Sequence, residues 1–359
     1  MKDSSTERSG TARGARVSGL SYLRAAACVA IITLHTVNAA EILYRDRLSL
    51  AQLTASMAVV YVMMWAVPCF VMVSGALLLD PAREVTLEKI FRKYLLRVVG
   101  ALLLFGLIYR GFDLLMNREP FSLLSLLKGL ANVFTGQSWA HLWYLYLLVG
   151  LYLLLPFYRM VAKESSERLL RYLLLVYVVF LSLLPLTRMA NVESAFYIHV
   201  STIYPFYLFA GYAVSSGALR LSRPAAAGAA LGGTVLIVLA AILRFRLPAE
   251  RLDEILASYS SMFVILQSVG MFSLLCSGDE TAARRPSSAF GRLLLFIDEN
   301  SFGVYLIHMI WIRLLLRYLE INPYEIGLWL FPVLILGNLA VSCLVTWALR
   351  RIPGMKRIL

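Results

Sequence analysis

The chain has 359 residues, of which 60% are apolar and only 15% charged, with a mean hydropathy of +0.74. Soluble globular proteins carry about 45–50% apolar and about 25% charged residues, so these values exclude a disordered chain, a disulfide-stapled secreted scaffold and an ordinary soluble enzyme. They predict an all-α polytopic membrane protein, because Leu-rich runs near the length of a bilayer crossing argue for helices over a β-barrel; the net charge of +13 then reads as orientation or as attraction of an anionic cytoplasmic ligand, rather than as a nucleic-acid footprint.

Residues 1–19 are polar and small, with Arg8, Arg13 and Arg16, and read as a disordered cytoplasmic tail. Ten spans are expected after them, over residues 20–40, 54–79, 94–116, 141–158, 169–187, 195–216, 225–243, 256–276, 301–319 and 327–349. Together they form one transmembrane domain, 20–349, followed by a cytoplasmic tail, 350–359. The first span has a basic flank and a small-residue end, Asn38-Ala39-Ala40, as a secretory signal would. Its long core and the spans behind it favour a transmembrane helix. Segment 121–135 is too short to cross and is placed at the outer interface or as a re-entrant piece. Residues 289–297 read as a short interfacial helix before the ninth span.

With both termini inside, the inner segments with the adjoining span ends hold 22 Lys and Arg, and the outer segments with theirs 11, a bias that the positive-inside rule reads as cytoplasmic termini. Cys28, Cys69, Cys276 and Cys343 lie in apolar runs without metal or redox spacing and read as small packing residues. Gly228-x-x-x-Gly232 fits small-residue helix packing.

Ionisable groups in hydrocarbon are costly and tend to face a cavity, a partner or a pathway. Arg24 and His35 share the first span. Eleven residues turn a helix by about 1100°, roughly 20° from three full turns, so the two lie on one face, roughly 16 Å apart along the axis. A snorkelling arginine and a packed histidine are one account; a lined channel is the other. Asn38, three residues on, lies on the side of His35 and is placed to orient its ring. His141 opens the fourth span in His141-Leu142-Trp143-Tyr144. It reads either as an outer aromatic-belt residue or, with Trp143, as a contact for an acceptor. Ser301, Tyr305 and His308 form one stripe on the ninth span. His199 has no polar stripe around it and reads as structural.

Pro68 interrupts the second span and predicts a kink with freed carbonyls. Ser74-Gly75 after it admits a close backbone or a slender ligand. The cations Lys89, Arg92, Lys93 and Arg97 stand at the mouth of the third span, as a membrane anchor or as a phosphate clamp. No acid pair suits glycoside hydrolysis, no His and carboxylate cluster has metal spacing, and no G-x-S-x-G or nucleotide-binding glycine loop is present. Histidine is therefore the leading general base.

Four stretches together, Leu23-Arg24 through His35, Pro68 through Gly75, His141 through Tyr144 and Ser301 through His308, resemble the acyltransferase-3 family of integral-membrane acyltransferases. That family includes bacterial surface-polysaccharide O-acetyltransferases. The resemblance covers nearly the whole chain. It implies an enzyme of the bacterial plasma membrane that takes an acyl group, usually acetyl, from cytoplasmic acyl-CoA and delivers it to a carbohydrate hydroxyl. Acyl-CoA is then a co-substrate, and no tightly bound cofactor or metal is expected. On this analogy Arg24 and His35 belong to the active channel and the basic residues after the second span hold the CoA. Members often show Arg-x-x-Arg there, whereas this chain has Lys89-x-x-Arg92 followed by Lys93 and Arg97. Asn38, Tyr305 and His308 are candidates to orient the base or stabilise the oxyanion. No extra esterase-like domain is expected, so transfer would finish within the membrane core. A flippase or exporter of a lipid-linked oligosaccharide is the alternative, against which the scarcity of intramembrane acids counts.

Overall fold

The computed structural model describes residues 5–190, 202–244, 258–276 and 288–359, with side chains from residue 19 onward. His199 and the starts of the predicted sixth and eighth spans lie outside the described residues. Those residues are helical, with no strand among them. The principal helices are α1 Ser5–Tyr44, α2 Leu50–Val62, α3 Ala66–Leu78, α4 Leu96–Met116, α5 Leu123–Phe134, α6 Trp143–Glu164, α7 Glu167–Val178, α8 Tyr204–Ser216, α9 Arg223–Leu243, α10 Met262–Cys276, α11 Ala289–Arg313, α12 Leu330–Leu349 and α13 Met355–Ile358. The first residues of α1 belong to the stretch that reads from sequence as a tail.

Eight helical segments are long and apolar enough to cross a membrane: Gly19–Arg47, Leu50–Leu78, Leu87–Met116, Ala140–Glu164, Glu167–Arg188, Arg223–Leu243, Ala289–Tyr318 and Leu330–Leu349. The protein is thus an all-α, multi-pass membrane protein. Ten spans were expected. The other two correspond to α8 and α10, which are shorter among the described residues, at 13 and 15 residues. Helix α5, with 12 residues, is too short to span, as expected, and starts at a Ser122–Ser125 capping box.

Two predicted boundaries move. The kink expected at Pro68 falls just before it, in the turn Met63–Trp65 between α2 and α3. The carbonyl of Val62 loses its helical partner there, and Gln267 Nε2 replaces it at 3.0 Å while also donating to Thr234 Oγ1 at 2.9 Å. The separate helix expected at 289–297 does not exist. Helix α11 runs unbroken through it and continues in π geometry over Leu314–Tyr318. Asp298 and Glu299 looked like a polar boundary, but Asp298 has its own cationic partner and the helix passes through.

The chain divides into two compact units. The first comprises Met1–Asn38, Arg47–Arg83 and Arg159–Glu299; the second comprises Ala39–Asp46, Glu84–Tyr158 and Asn300–Leu359. In the first, α3 packs on α8 and α9 on α10. Both contacts depend on glycine. A Cβ at Gly75 would strike the Leu208 carbonyl, and one at Gly211 the Met72 carbonyl. On α9 the packed face is Ala226, Ala230 and Gly233, set against Gly270 and Gln267 of α10. The sequence pair Gly228 and Gly232 has no atom within 4 Å of where its Cβ atoms would stand, so the expected packing motif is one register away from the true one. Small residues let helices approach where lipid offers no hydrophobic drive. The four cysteines are buried, as packing residues should be, and Cys69 Sγ reaches the Ser268 carbonyl at 3.6 Å.

In the second unit the core is aromatic and aliphatic. Phe105, Tyr109, Leu142, Leu145 and Leu306 are fully buried. The terminal helix α13 folds back on α4, and Leu359 is itself buried in this core.

Candidate functional site

In the first unit, Arg24 lies eleven residues before His35 on the single helix α1. The sequence leaves open whether Arg24 snorkels. It does not: its Nε donates to Asp298 Oδ1 at 2.6 Å and its Nη2 to Asp298 Oδ2 at 2.9 Å. The Asp298 side chain is buried, 6% exposed, while the Arg24 side chain as a whole keeps 32%. Such a fork-to-fork pair fixes the plane of the guanidinium as well as its position. His35 and Asn38 are both half-buried further along α1.

Ser74 donates within its own helix to the Phe70 carbonyl at 3.1 Å. The space above Gly75 is taken by the backbone of Leu208. Of the two readings of Ser74-Gly75, the close backbone is therefore the one seen at Gly75, because Leu208 stands where a slender ligand would have to pass.

The second unit holds the remaining expected residues. Lys89, Arg92 and Lys93 are exposed. Lys89 Nζ donates to the Glu84 carbonyl at 2.9 Å, and Arg92 pairs with Glu88 at 3.1 Å, a solvated i,i+4 contact. Arg97 is exposed as well but is held differently. Its Nε donates to the Ile358 carbonyl at 3.0 Å, and its Nη2 to the Leu359 carbonyl. Its guanidinium also lies 4.8 Å from the Phe302 ring centroid. The guanidinium is thus engaged by the carbonyls at the end of α13.

His141 was expected near the outer surface. It is buried within the protein, at 4% exposure, because Tyr109, Trp139, Tyr305 and His308 surround its ring at centroid distances of 5.0, 6.1, 5.8 and 5.5 Å. The stripe of Tyr305 and His308 is therefore brought to His141. Trp143 is half-buried beside Tyr144, at 6.1 Å between centroids. Tyr305 Oη donates to the His141 carbonyl at 2.5 Å.

Hydrogen bonding sets the tautomers of these two imidazoles. Tyr109 Oη donates its one proton to the Leu306 carbonyl. His141 Nε2, at 2.9 Å from the same oxygen, must then be the donor, which leaves the lone pair on Nδ1. His308 Nδ1 lies 2.8 Å from the Tyr305 carbonyl and 3.1 Å from that of Val304. Carbonyls only accept, so Nδ1 carries the proton and Nε2 the lone pair. The rings are perpendicular at 84°, and in their neutral forms they take opposite tautomers.

Several residues that support this cluster are not candidates in the sequence reading. Asp113 accepts from Arg313 Nη1 at 2.8 Å and from Trp139 Nε1 at 2.8 Å. The Arg313 guanidinium lies 4.0 Å from the Trp139 ring centroid, and Trp139 stacks on Tyr109 at 4.1 Å. Asn338 Nδ2 donates to the His308 carbonyl at 3.1 Å and is held in turn by Ser342 Oγ at 2.9 Å. Asp113 and Arg313 are charges within predicted spans, the same signal that picks out Arg24. Among the described residues no three His, Cys, Asp or Glu side chains stand close enough to hold a metal ion.

A sequence profile described as an acyltransferase domain, that of the acyltransferase-3 family, matches residues 17–347. No curated protein and no solved structure matches the chain.

Proposed function

From a chain that belongs to the acyltransferase-3 family, and is therefore a membrane acyltransferase, we propose the reaction: acyl transfer from cytoplasmic acyl-CoA to a hydroxyl of a cell-envelope or exported carbohydrate. The acyl group is acetyl in this reading, the membrane is the bacterial plasma membrane, and both termini are cytoplasmic in accord with the basic-residue bias. The observation that carries it is a helix with a fixed cation and an imidazole on one face, Arg24 and His35, inside a chain of that family.

Acyl-CoA has an anionic head, which hydrocarbon excludes, and a thin neutral arm, which a path between helices admits. Arg24 stands at the head side of that path. Some 16 Å of helix separates it from His35, a length on the scale of the arm. Neutral His35 accepts the proton of the acceptor hydroxyl as its oxygen attacks the thioester carbonyl. The tetrahedral intermediate collapses with loss of the CoA thiolate, which takes the proton from His35, and the ester is left on the acceptor. Asn38, on the same side of the helix as His35, orients the ring. The exposed cations Lys89, Arg92 and Lys93 have the chemistry that CoA phosphates require, and that supports assigning the clamp to them rather than to Arg97.

The test is transfer of radiolabelled acetyl from acetyl-CoA to envelope glycan by purified protein, with mass spectrometry of the glycan as readout. His35→Ala is expected to bring transfer to background while CoA still raises the melting temperature. Normal transfer by a folded His35→Ala protein would remove the proposed base. A flippase would show neither CoA-dependent stabilisation nor a mass change in the glycan.

A further inference from the structure

The ion pair of Arg24 and Asp298 joins residues 274 positions apart. Its carboxylate is buried, and both of its oxygens are spent on one guanidinium. Removing two charges from water is expensive, and an apolar pair of similar volume often serves stability as well or better. Stability alone is therefore a poor reason for such a pair. Its geometry offers another. Asp298 engages the Nε and Nη2 side of the guanidinium, so Nη1 and its two N–H groups point along the remaining edge. Arginine is planar, and fixing one edge fixes the others.

We propose that Asp298 is a positioning residue for acyl-donor use, aiming the remaining edge of Arg24 at acyl-CoA. This rests on the acyl-CoA reading above and adds a residue to it. The pair carries no net charge, so Arg24 contributes here as an oriented donor and not as a bare cation. That distinction fixes the sign of the test. If Arg24 acted by charge alone, Asp298→Asn would unmask a full positive charge and leave acyl-CoA binding unchanged or tighter. Because it acts by orientation, the same change lets the guanidinium rotate and weakens binding.

The experiment uses the full-length protein in detergent, with acetyl-CoA as the varied substrate and the melting temperature recorded for each variant. Asp298→Asn is expected to raise KM for acetyl-CoA about tenfold or more, with kcat much less affected, as for a lost binding contact. Arg24→Lys, which keeps the charge and loses the fork, is expected to resemble it. Asp298→Glu is expected to recover part of the loss. A KM that is unchanged or lowered in Asp298→Asn would overturn the proposal and leave a structural staple, whose loss shows in melting temperature alone. Should Asp298→Asn fail to fold, Arg24→Lys carries the test, since it keeps the charge and loses the fork to Asp298. Folded with a raised KM for acetyl-CoA, it supports the proposal; folded with wild-type KM, it overturns it. A wild-type protein with neither CoA-dependent stabilisation nor transfer would overturn the acyl-CoA reading itself, and Asp298's role with it, an outcome distinct from a working wild type with an indifferent Asp298→Asn.

Discussion

In the first unit helices meet backbone to backbone. Gly75 and Gly211 each face a carbonyl of the opposite helix, Leu208 and Met72, and Gly233 and Gly270 do the same between α9 and α10. In the second unit helices meet through rings and hydrogen bonds. Tyr109 ties α4 to the Leu306 carbonyl of α11, Trp139 bonds Asp113, and Arg313 lies over Trp139. Each unit also carries its own imidazoles, His35 in one and the pair His141 and His308 in the other. The difference teaches where each unit tolerates change. Contacts between backbones fail when any atom is added. A ring cluster with directed hydrogen bonds fails when a single proton donor is removed.

The largest expected effect separates the imidazoles. His35→Ala is expected to lower transfer by about 10²–10⁴-fold, the usual worth of a positioned general base. His308→Ala is expected to lower it less and to lower the melting temperature as well, since the ring lies in the packed core of its unit. Rates for the two variants in one glycan-acetylation assay decide the matter. Complete loss in His308→Ala with high residual activity in His35→Ala would move the chemistry to the second unit.

Next comes packing. Gly211→Val places branched carbon against the Met72 backbone, and neither helix can yield by a rotamer change. Overpacking costs typically about 1–3 kcal/mol, occasionally more, so the variant is expected to melt well below the wild type or to fail to accumulate. A smaller loss is expected in the second unit from Tyr109→Phe, which preserves the ring and its stacking. It leaves His141 Nε2–H without its acceptor oxygen, a penalty of about 1–3 kcal/mol for a buried unsatisfied donor. Thermal melting in detergent measures both. A Tyr109→Phe protein as stable as wild type would mean that the hydroxyl does not fix the tautomer of His141.

What was readable before the structure follows from the range of the interactions. Most of the helices, and the continuity of the one that bears Arg24 and His35, are set by residues within a few turns of each other. The Asp298 partner of Arg24 is 274 residues away, and no local pattern announces it; Asp298 and Glu299 together read as the boundary of a span. His141 beside Trp139 and Trp143 has the composition of an interfacial belt, yet three rings from α4 and α11 bury it. Asp113 and Arg313 are legible as charges in apolar runs, but their pairing across 200 residues is not. Arg97 shows the converse. Its place in a basic run fits a phosphate clamp, and only the return of α13 shows what it holds.

The smallest effect is the sharpest check on the glycine contrast, because it compares neighbours on one helix. Gly233 of α9 is packed against Phe263 and Gln267, whereas Gly228 and Gly232 have open space where a Cβ would go. All three sit mid-helix, where glycine is worth roughly 0.5–1 kcal/mol less than alanine. Gly228→Ala is therefore expected to raise stability by about 0.5–1 kcal/mol, seen as a small upward shift in melting temperature with activity unchanged. Gly233→Ala is expected to lower it, since its new Cβ would stand 2.7 Å from the Phe263 carbonyl oxygen. Opposite signs from one methyl group, five residues apart, are what the observed register requires. Equal destabilisation at both positions would mean that the face bearing Gly228 is covered in the assembled protein, and the contrast between packed and open glycines would fall.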